Sequence, residues 1–113
     1  MPKYKTAIVT GGAGFIGSHI VDALVRRHVK VHVIDDLSTG SRKNLNPNVQ
    51  FYKMSVVDPA AAALVAKIKP DVFFHLAAQI DVRCSVEDPP ADARVNIIGT
   101  IAMAHACAKV GVK

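Results

Sequence analysis

The chain has 113 residues, 50% of them hydrophobic, with 14 Lys and Arg against 9 Asp and Glu and a formal net charge of +5. This length and composition fit one globular domain and exclude a disordered or fibrous chain. No apolar run reaches the length of a membrane span, and no basic run exceeds two residues (Arg26-Arg27, Arg42-Lys43), so a solvated basic surface explains the charge better than a nucleic-acid interface.

Met1 to Lys5 leads straight into a first strand, Lys5 to Val9, with no signal peptide expected. The stretch Thr10-Gly11-Gly12-Ala13-Gly14-Phe15-Ile16-Gly17 follows, and a helical pattern begins at Gly14. Gly11, Gly14 and Gly17 form G-x-x-G-x-x-G between a strand and a helix, the context in which a glycine motif becomes a phosphate site. Gly11 suits the sharp turn, Gly14 admits a pyrophosphate to the backbone, and Gly17 allows close helix packing. The helix N-terminus adds unpaired N–H groups and a dipole that favours negative charge. Ile16, Ile20, Ala23 and Leu24 recur at helical spacing and are expected to face the sheet, with Arg26, Arg27 and His28 in the last turn.

Lys30 to Ile34 reads as a second buried strand ending at Asp35-Asp36. Asp35 lies 18 residues beyond Gly17, where a carboxylate bonds the two hydroxyls of an adenosine ribose and repels a 2′-phosphate. The residues therefore favour NAD over NADP, although Arg42 and Lys43 could meet a phosphate. Residues 37 to 48 read as loop, and Val49 to Met54 as a third strand. Asp58-Pro59 reads as an N-cap with proline at the first helical position, and Lys69-Pro70 as the stop of that helix. Asp71 to Leu76 is a fourth strand, apolar enough for burial on both faces, followed by the small residues Ala77 and Ala78. Ile80 to Pro90 reads as loop, and Ala91 to Lys109 as a last helix with Val95, Ile98, Ala102 and Ala106 inward and Gly111 as its cap. Cys84 and Cys107 lack metal-ligand spacing and read as free thiols, and no metal site is expected.

Alternating strands and helices predict an α/β fold. It is a partial Rossmann-like parallel sheet of four strands in the order 3-2-1-4, with helices on both faces and a dinucleotide across the carboxyl ends of the strands.

The glycine stretch, Asp35-Asp36-Leu37-Ser38-Thr39-Gly40 and Phe74-His75-Leu76-Ala77-Ala78-Gln79 resemble the extended branch of the short-chain dehydrogenase/reductase superfamily. Val82 to Pro89, with Asn96-Ile97-Ile98-Gly99-Thr100, narrows the resemblance to the NAD-dependent nucleotide-sugar epimerases and dehydratases, of the UDP-glucose 4-epimerase type. It covers the whole chain but only about the first third of such an enzyme, so residues 1–113 are expected to form a single NAD-binding half-domain. The resemblance implies that Gly11, Gly14 and Gly17, with Phe15 and Ile16, hold the pyrophosphate. It places the adenosine ribose on Asp35 and Asp36 with help from Ser38. Leu76, Ala77 and Ala78 would pass the diphosphate and nicotinamide ribose, and Asn96 would stand near the cofactor. The family's adenine-contacting aspartate falls on Ser55, beside Val56, and Asp36 stands where these epimerases often have asparagine.

The family's reaction removes a hydride from C4 of the sugar and returns it to the other face. It needs a Tyr-x-x-x-Lys pair and a Ser or Thr beyond the fourth strand. The only tyrosines are Tyr4 and Tyr52, and four residues on stand Ile8 and Val56. No catalytic residue is therefore assigned: His75 reads as a core or sheet-end histidine, His105 and Cys107 fall on different helical faces, and Asp81, Glu87 and Asp88 read as solvated. The chain is expected to bind NAD without epimerising alone, to take a nucleotide sugar only with the rest of such an enzyme, and to be cytoplasmic. The fourth strand is expected to leave an apolar edge open to self-association. The alternatives are a stand-alone nucleotide-binding or regulatory module and an NADP-dependent reductase of the same superfamily.

Overall fold

A computed structural model describes residues 4–37, 41–77 and 94–112. Four parallel strands form one sheet: β1 (Thr6–Thr10), β2 (Lys30–Asp35), β3 (Gln50–Lys53) and β4 (Val72–His75). Their order is β3-β2-β1-β4. Thr10 pairs with Ile34 on one side and His75 on the other, and Asp35 pairs with Lys53, so these strands end along one crest. Three helices complete the described fold: α1 (Phe15–Arg26), α2 (Pro59–Ile68) and α3 (Gly99–Val110).

The strands alternate their side chains between two cores. On one face, Ala7, Val9, Val31 and Val33 pack with Val21 of α1 and with Val29. On the other, Ile8 and Ile34 pack with Ala61 and Val65 of α2 and with Met103 and Ala106 of α3. Helices thus cover both faces, as a parallel sheet requires. At the crest's opposite end, Asp71 Oδ2 accepts the backbone N–H groups of Lys5 (2.7 Å) and Thr6 (3.0 Å), fixing the start of β1 beside that of β4.

Local chemistry accounts for the helix ends. Asp58 caps α2 by accepting the Ala60 N–H at 2.9 Å, with Pro59 in the first turn, and the helix stops at Lys69 before Pro70. Gly111, at a φ of 72°, ends α3. Helix α1 closes on His28, whose φ is 64°. There the His28 N–H reaches the Val25 carbonyl and the Val29 N–H reaches the Leu24 carbonyl, a Schellman motif with histidine in place of the usual glycine.

Three expectations are corrected. Ile16 is 67% exposed, because it lies in the first turn of α1, ahead of the buried position at Val21. The last helix is not continuous: residues Arg94–Ile98 form a π turn before α3. The wider turn shifts the inward register, so Gly99, Met103 and Ala106 are buried while Ile98 is 54% exposed. Val95 and residues 91–93 lie outside what is described of side chains or backbone respectively, as does the loop 80–90. Strand β4 is half-buried along its length, because among the described residues its only sheet neighbour is β1.

Two measurements check this account. A non-glycine residue at a positive φ carries strain, so His28→Gly is expected to raise the urea midpoint, worth about 0.5–1 kcal/mol after glycine's greater unfolded entropy is offset. Buried His32 stacks on Tyr52 and contacts its hydroxyl at 3.1 Å; burial first, then the Lys30 charge, lower its pKa below 6.5. The unfolded chain then binds protons that the folded chain does not, so stability is full above pH 6.5 and declines as the pH falls below it. Urea titrations across that range should show this slope, reduced in His32→Gln.

Candidate functional site

The crest of the sheet brings four backbone segments to one place. The chain leaves β1 at Thr10 and turns at Gly11, whose φ is 71° and whose N–H is held by the Ile34 carbonyl at 2.8 Å. A side chain at Gly11 would strike the Leu76–Ala77 peptide, its Cβ coming within 2.9 Å of Ala77 N. A Cβ on Gly17 would overlap the Gly11 carbonyl oxygen. Gly17 therefore lets the first turn of α1 sit directly on the glycine turn. Gly12 is just as constrained, its Cβ position lying 2.7 Å from Val33 Cγ1. It was not singled out in the sequence, although the Gly11-Gly12 doublet is the visible sign.

Gly14 differs from the other three. Among the described residues its Cβ position meets only the Gly11 oxygen, at a close 3.3 Å, and no other atom of those residues stands within contact of it. Gly14 is the N-cap of α1 and supplies no side-chain cap, and the first turn contains no acidic residue. The N–H groups of Phe15, Ile16 and Gly17 belong to that first turn, where a helix offers no internal acceptor. Phe15 is 78% exposed and rests edge-on against His19, so its part in an anion site is played by its backbone. The arrangement is a ready site for a phosphate group.

Asp35 stands beside this turn at the end of β2 and is buried. One carboxylate oxygen accepts the Ala13 N–H at 3.0 Å and the other accepts the Leu37 N–H at 2.7 Å. Each oxygen has a second lone pair, so the group can still accept hydroxyl donors. Leu37 takes a φ of 63° to make its bond, a conformation uncommon outside glycine and asparagine. The Ala13 carbonyl in turn accepts Ser41 N–H at 3.1 Å and Asn44 Nδ2 at 3.2 Å. Asn44 had no sequence signal beyond its place in a polar loop. Arg42, beside it, lies over the Phe51 ring at 5.1 Å.

The remaining candidates divide. Asp36 is exposed next to Asp35. Ser55 follows β3 and is half-buried, its Oγ accepting the Val57 N–H at 3.3 Å. The Val56 side chain is buried in the core with Ile8 and Ile34, leaving only its backbone for a ligand. Leu76 and Ala77 form the turn that touches Gly11. Asn96 lies in the π turn, where its carbonyl accepts the Thr100 hydroxyl at 2.9 Å. Thr100 reaches His75, and His75 reaches Thr10, so Asn96 is wired to the crest. His75 is half-buried, and burial lowers its pKa. Burial also raises the Cys107 thiol. Ser38, Ala78, Cys84, Asp81, Glu87 and Asp88 lie outside the described residues. Among the described residues no three His, Cys, Asp or Glu side chains gather as metal ligands, and no helix is long and apolar enough to cross a membrane.

A helix start whose first N–H groups have no acceptor within the helix thus stands next to a buried carboxylate. The chain is 47% identical over 111 residues to UDP-glucose 4-epimerase of Mycolicibacterium smegmatis, a match covering 94% of this chain and 36% of that protein. The crystal structure of UDP-glucose 4-epimerase from Thermotoga maritima with UDP-glucose superposes with a TM-score of 0.91 at 45% identity, over 96% of this chain and 35% of that one. The Thermus thermophilus UDP-glucose 4-epimerase, solved with NAD, gives a TM-score of 0.88 at 41% identity, over 96% and 35%. The chain thus spans about a third of the length of the relatives it matches. A family model for the NAD dependent epimerase/dehydratase family matches residues 7–113, nearly the whole chain, and the chain belongs to that family.

Proposed function

We propose that these residues form the NAD-binding portion of a nucleotide-sugar epimerase of the UDP-glucose 4-epimerase type. The observation that carries this reading is the start of α1 at Gly14, whose first N–H groups have no acceptor within the helix, with Asp35 at the adjoining strand end. The backbone N–H groups of Phe15, Ile16 and Gly17 would bind the diphosphate. Asp35, already fixed by Ala13 and Leu37, would accept the ribose hydroxyls with its remaining lone pairs, aided by Asp36 and Ser38. Ser55 and the Val56 backbone would border the adenine, while Leu76, Ala77 and Ala78 would wall the diphosphate and nicotinamide ribose, with Asn96 near them. The chemistry that NAD supplies when bound is reversible hydride acceptance. The Arg42 guanidinium is engaged by Phe51, which supports NAD over NADP. The half-covered edge of β4 supports self-association through that strand, and a cytoplasmic location goes with the same reading.

Tyr4 and Tyr52 are the only tyrosines in these 113 residues, and neither has a lysine four residues on. These residues alone are expected to leave UDP-galactose unconverted, and measurable turnover by them would overturn that assignment.

Calorimetry with NAD and NADP tests the cofactor. NAD is expected to bind more tightly, and tighter NADP binding would contradict the role given to Asp35. Two glycine substitutions separate binding from folding. Gly14→Val sets a Cβ 3.3 Å from the Gly11 carbonyl oxygen, a milder contact than the one at Gly17, so it should weaken NAD binding by about tenfold or more at a smaller cost in the urea midpoint than Gly17→Ala. Gly17→Ala should instead lower stability by about 1–3 kcal/mol, since the added methyl overlaps the Gly11 carbonyl oxygen. Unchanged NAD affinity in Gly14→Val would remove the diphosphate from this turn.

A further inference from the structure

The hydroxyl of Thr10 is fully buried and meets three partners. Its Oγ1 lies 3.0 Å from Leu76 N, 3.1 Å from Ala77 N and 2.8 Å from His75 Nδ1. A hydroxyl has one hydrogen and two lone pairs. The two backbone N–H groups can only donate, and they take up the lone pairs, the Leu76 N–H being shared with the Thr10 carbonyl at 3.2 Å. The Thr10 hydrogen must then go to His75 Nδ1, which has to be an acceptor. An imidazole that accepts at Nδ1 is neutral and carries its proton on Nε2. Nε2 lies 3.1 Å from Thr100 Oγ1 and donates to it, and Thr100 passes its own hydrogen to the Asn96 carbonyl at 2.9 Å. The direction is fixed at both ends, by N–H groups that cannot accept and a carbonyl that cannot donate.

We propose that His75 is a positioning residue: held as the neutral Nε2–H tautomer between Thr10 and Thr100, it locks the Leu76–Ala77 wall of the cofactor site against Gly11 and ties that wall to the start of α3. A second proton, on Nδ1, would face a hydroxyl with no lone pair left. The cleft beside the ring is lined by Phe73, Thr100, Met103, Ala104 and Cys107, so among the described residues no charged side chain faces it there. Cys107 is its only titratable neighbour in that lining, and burial keeps that thiol protonated. The wall matters because it touches the glycine turn: the Cβ position of Gly11 lies 2.9 Å from both Ala77 N and the Leu76 carbonyl carbon. Its role in binding rests on the NAD reading above; the tautomer does not.

Nitrogen-15 NMR of the imidazole rings, amide hydrogen exchange and NAD calorimetry test the proposal together. The His75 ring is expected to show the Nε2–H tautomer and to take up its second proton only below pH 6.5, the ordinary histidine value. An Nδ1–H tautomer, or ordinary titration near that value, would overturn it. His75→Asn places an amide oxygen where Nδ1 stood and keeps the Thr10 hydrogen bond, whereas His75→Ala removes it. NAD affinity should stay within about threefold of wild type in His75→Asn and fall about tenfold or more in His75→Ala, with faster exchange at the Leu76 and Ala77 amides in the latter alone. Equal behaviour of the two folded variants, whether both bind or both fail, would sink the positioning role. If His75→Ala does not fold, Thr100→Val cuts only the Nε2 link and should weaken binding by about threefold while the ring, its Nε2–H left without an acceptor, takes up its second proton at still lower pH; no change in either counts against the proposal. A wild-type protein that shows the Nε2–H tautomer but binds no NAD keeps the lock and refutes the cofactor reading.

Discussion

Three stretches of backbone pass one another at Gly11 with no room for a side chain between them. The end of β1 turns there, the first turn of α1 rests on the Gly11 carbonyl through Gly17, and the Leu76–Ala77 peptide presses from the β4 side. Main chain against main chain is the closest approach a fold can make, and glycine is the residue type that permits it. Everything at the crest inherits its position from this crossing. Helix α1 has to start within a few residues of the strand, so its unpaired N–H groups point over the sheet's carboxyl edge. Asp35 meets Ala13 because the turn cannot wander.

The polar groups around this crossing form a second layer of control. Ala13 carries much of it through its backbone alone, giving its N–H to Asp35 and receiving Ser41 and Asn44 at its carbonyl. The loop after β2 is thereby fastened to the loop after β1. On the other flank Thr10, His75 and Thr100 fasten β1 and β4 to the start of α3. Among the described residues no buried side-chain polar atom lacks a hydrogen-bond partner, so both flanks are satisfied as they stand.

Much of this was legible in the sequence because it follows a period or a spacing. The strand order came from alternating elements and the position of the glycine turn, and the α2 boundaries from Asp58-Pro59 and Lys69-Pro70. Asp35 was legible from its distance to Gly17. The π turn was not, since Arg94 to Ile98 reads as ordinary helix, and the displaced register turned Ile98 outward. Nor was the Thr10–His75–Thr100 chain, whose members lie 65 and 25 residues apart. Hydrogen bonds of that range leave no periodic trace. His75 looked like a core residue because its strand neighbours Phe73 and Phe74 are apolar. Its half-burial and its two hydroxyl partners depend on where α3 lands.

On the proposed reading Asp35 would serve twice, and that would limit how this fold could change its ligand. The carboxylate that would discriminate between the two dinucleotides also holds the glycine turn and the backbone of Leu37. Exchanging it for a small neutral residue, the simplest route toward accepting a 2′-phosphate, would strip two N–H groups of their acceptor at the same stroke. Ligand preference and loop integrity are therefore not independently evolvable here. A lineage that switched cofactor would first have to give the Ala13 and Leu37 N–H groups another acceptor.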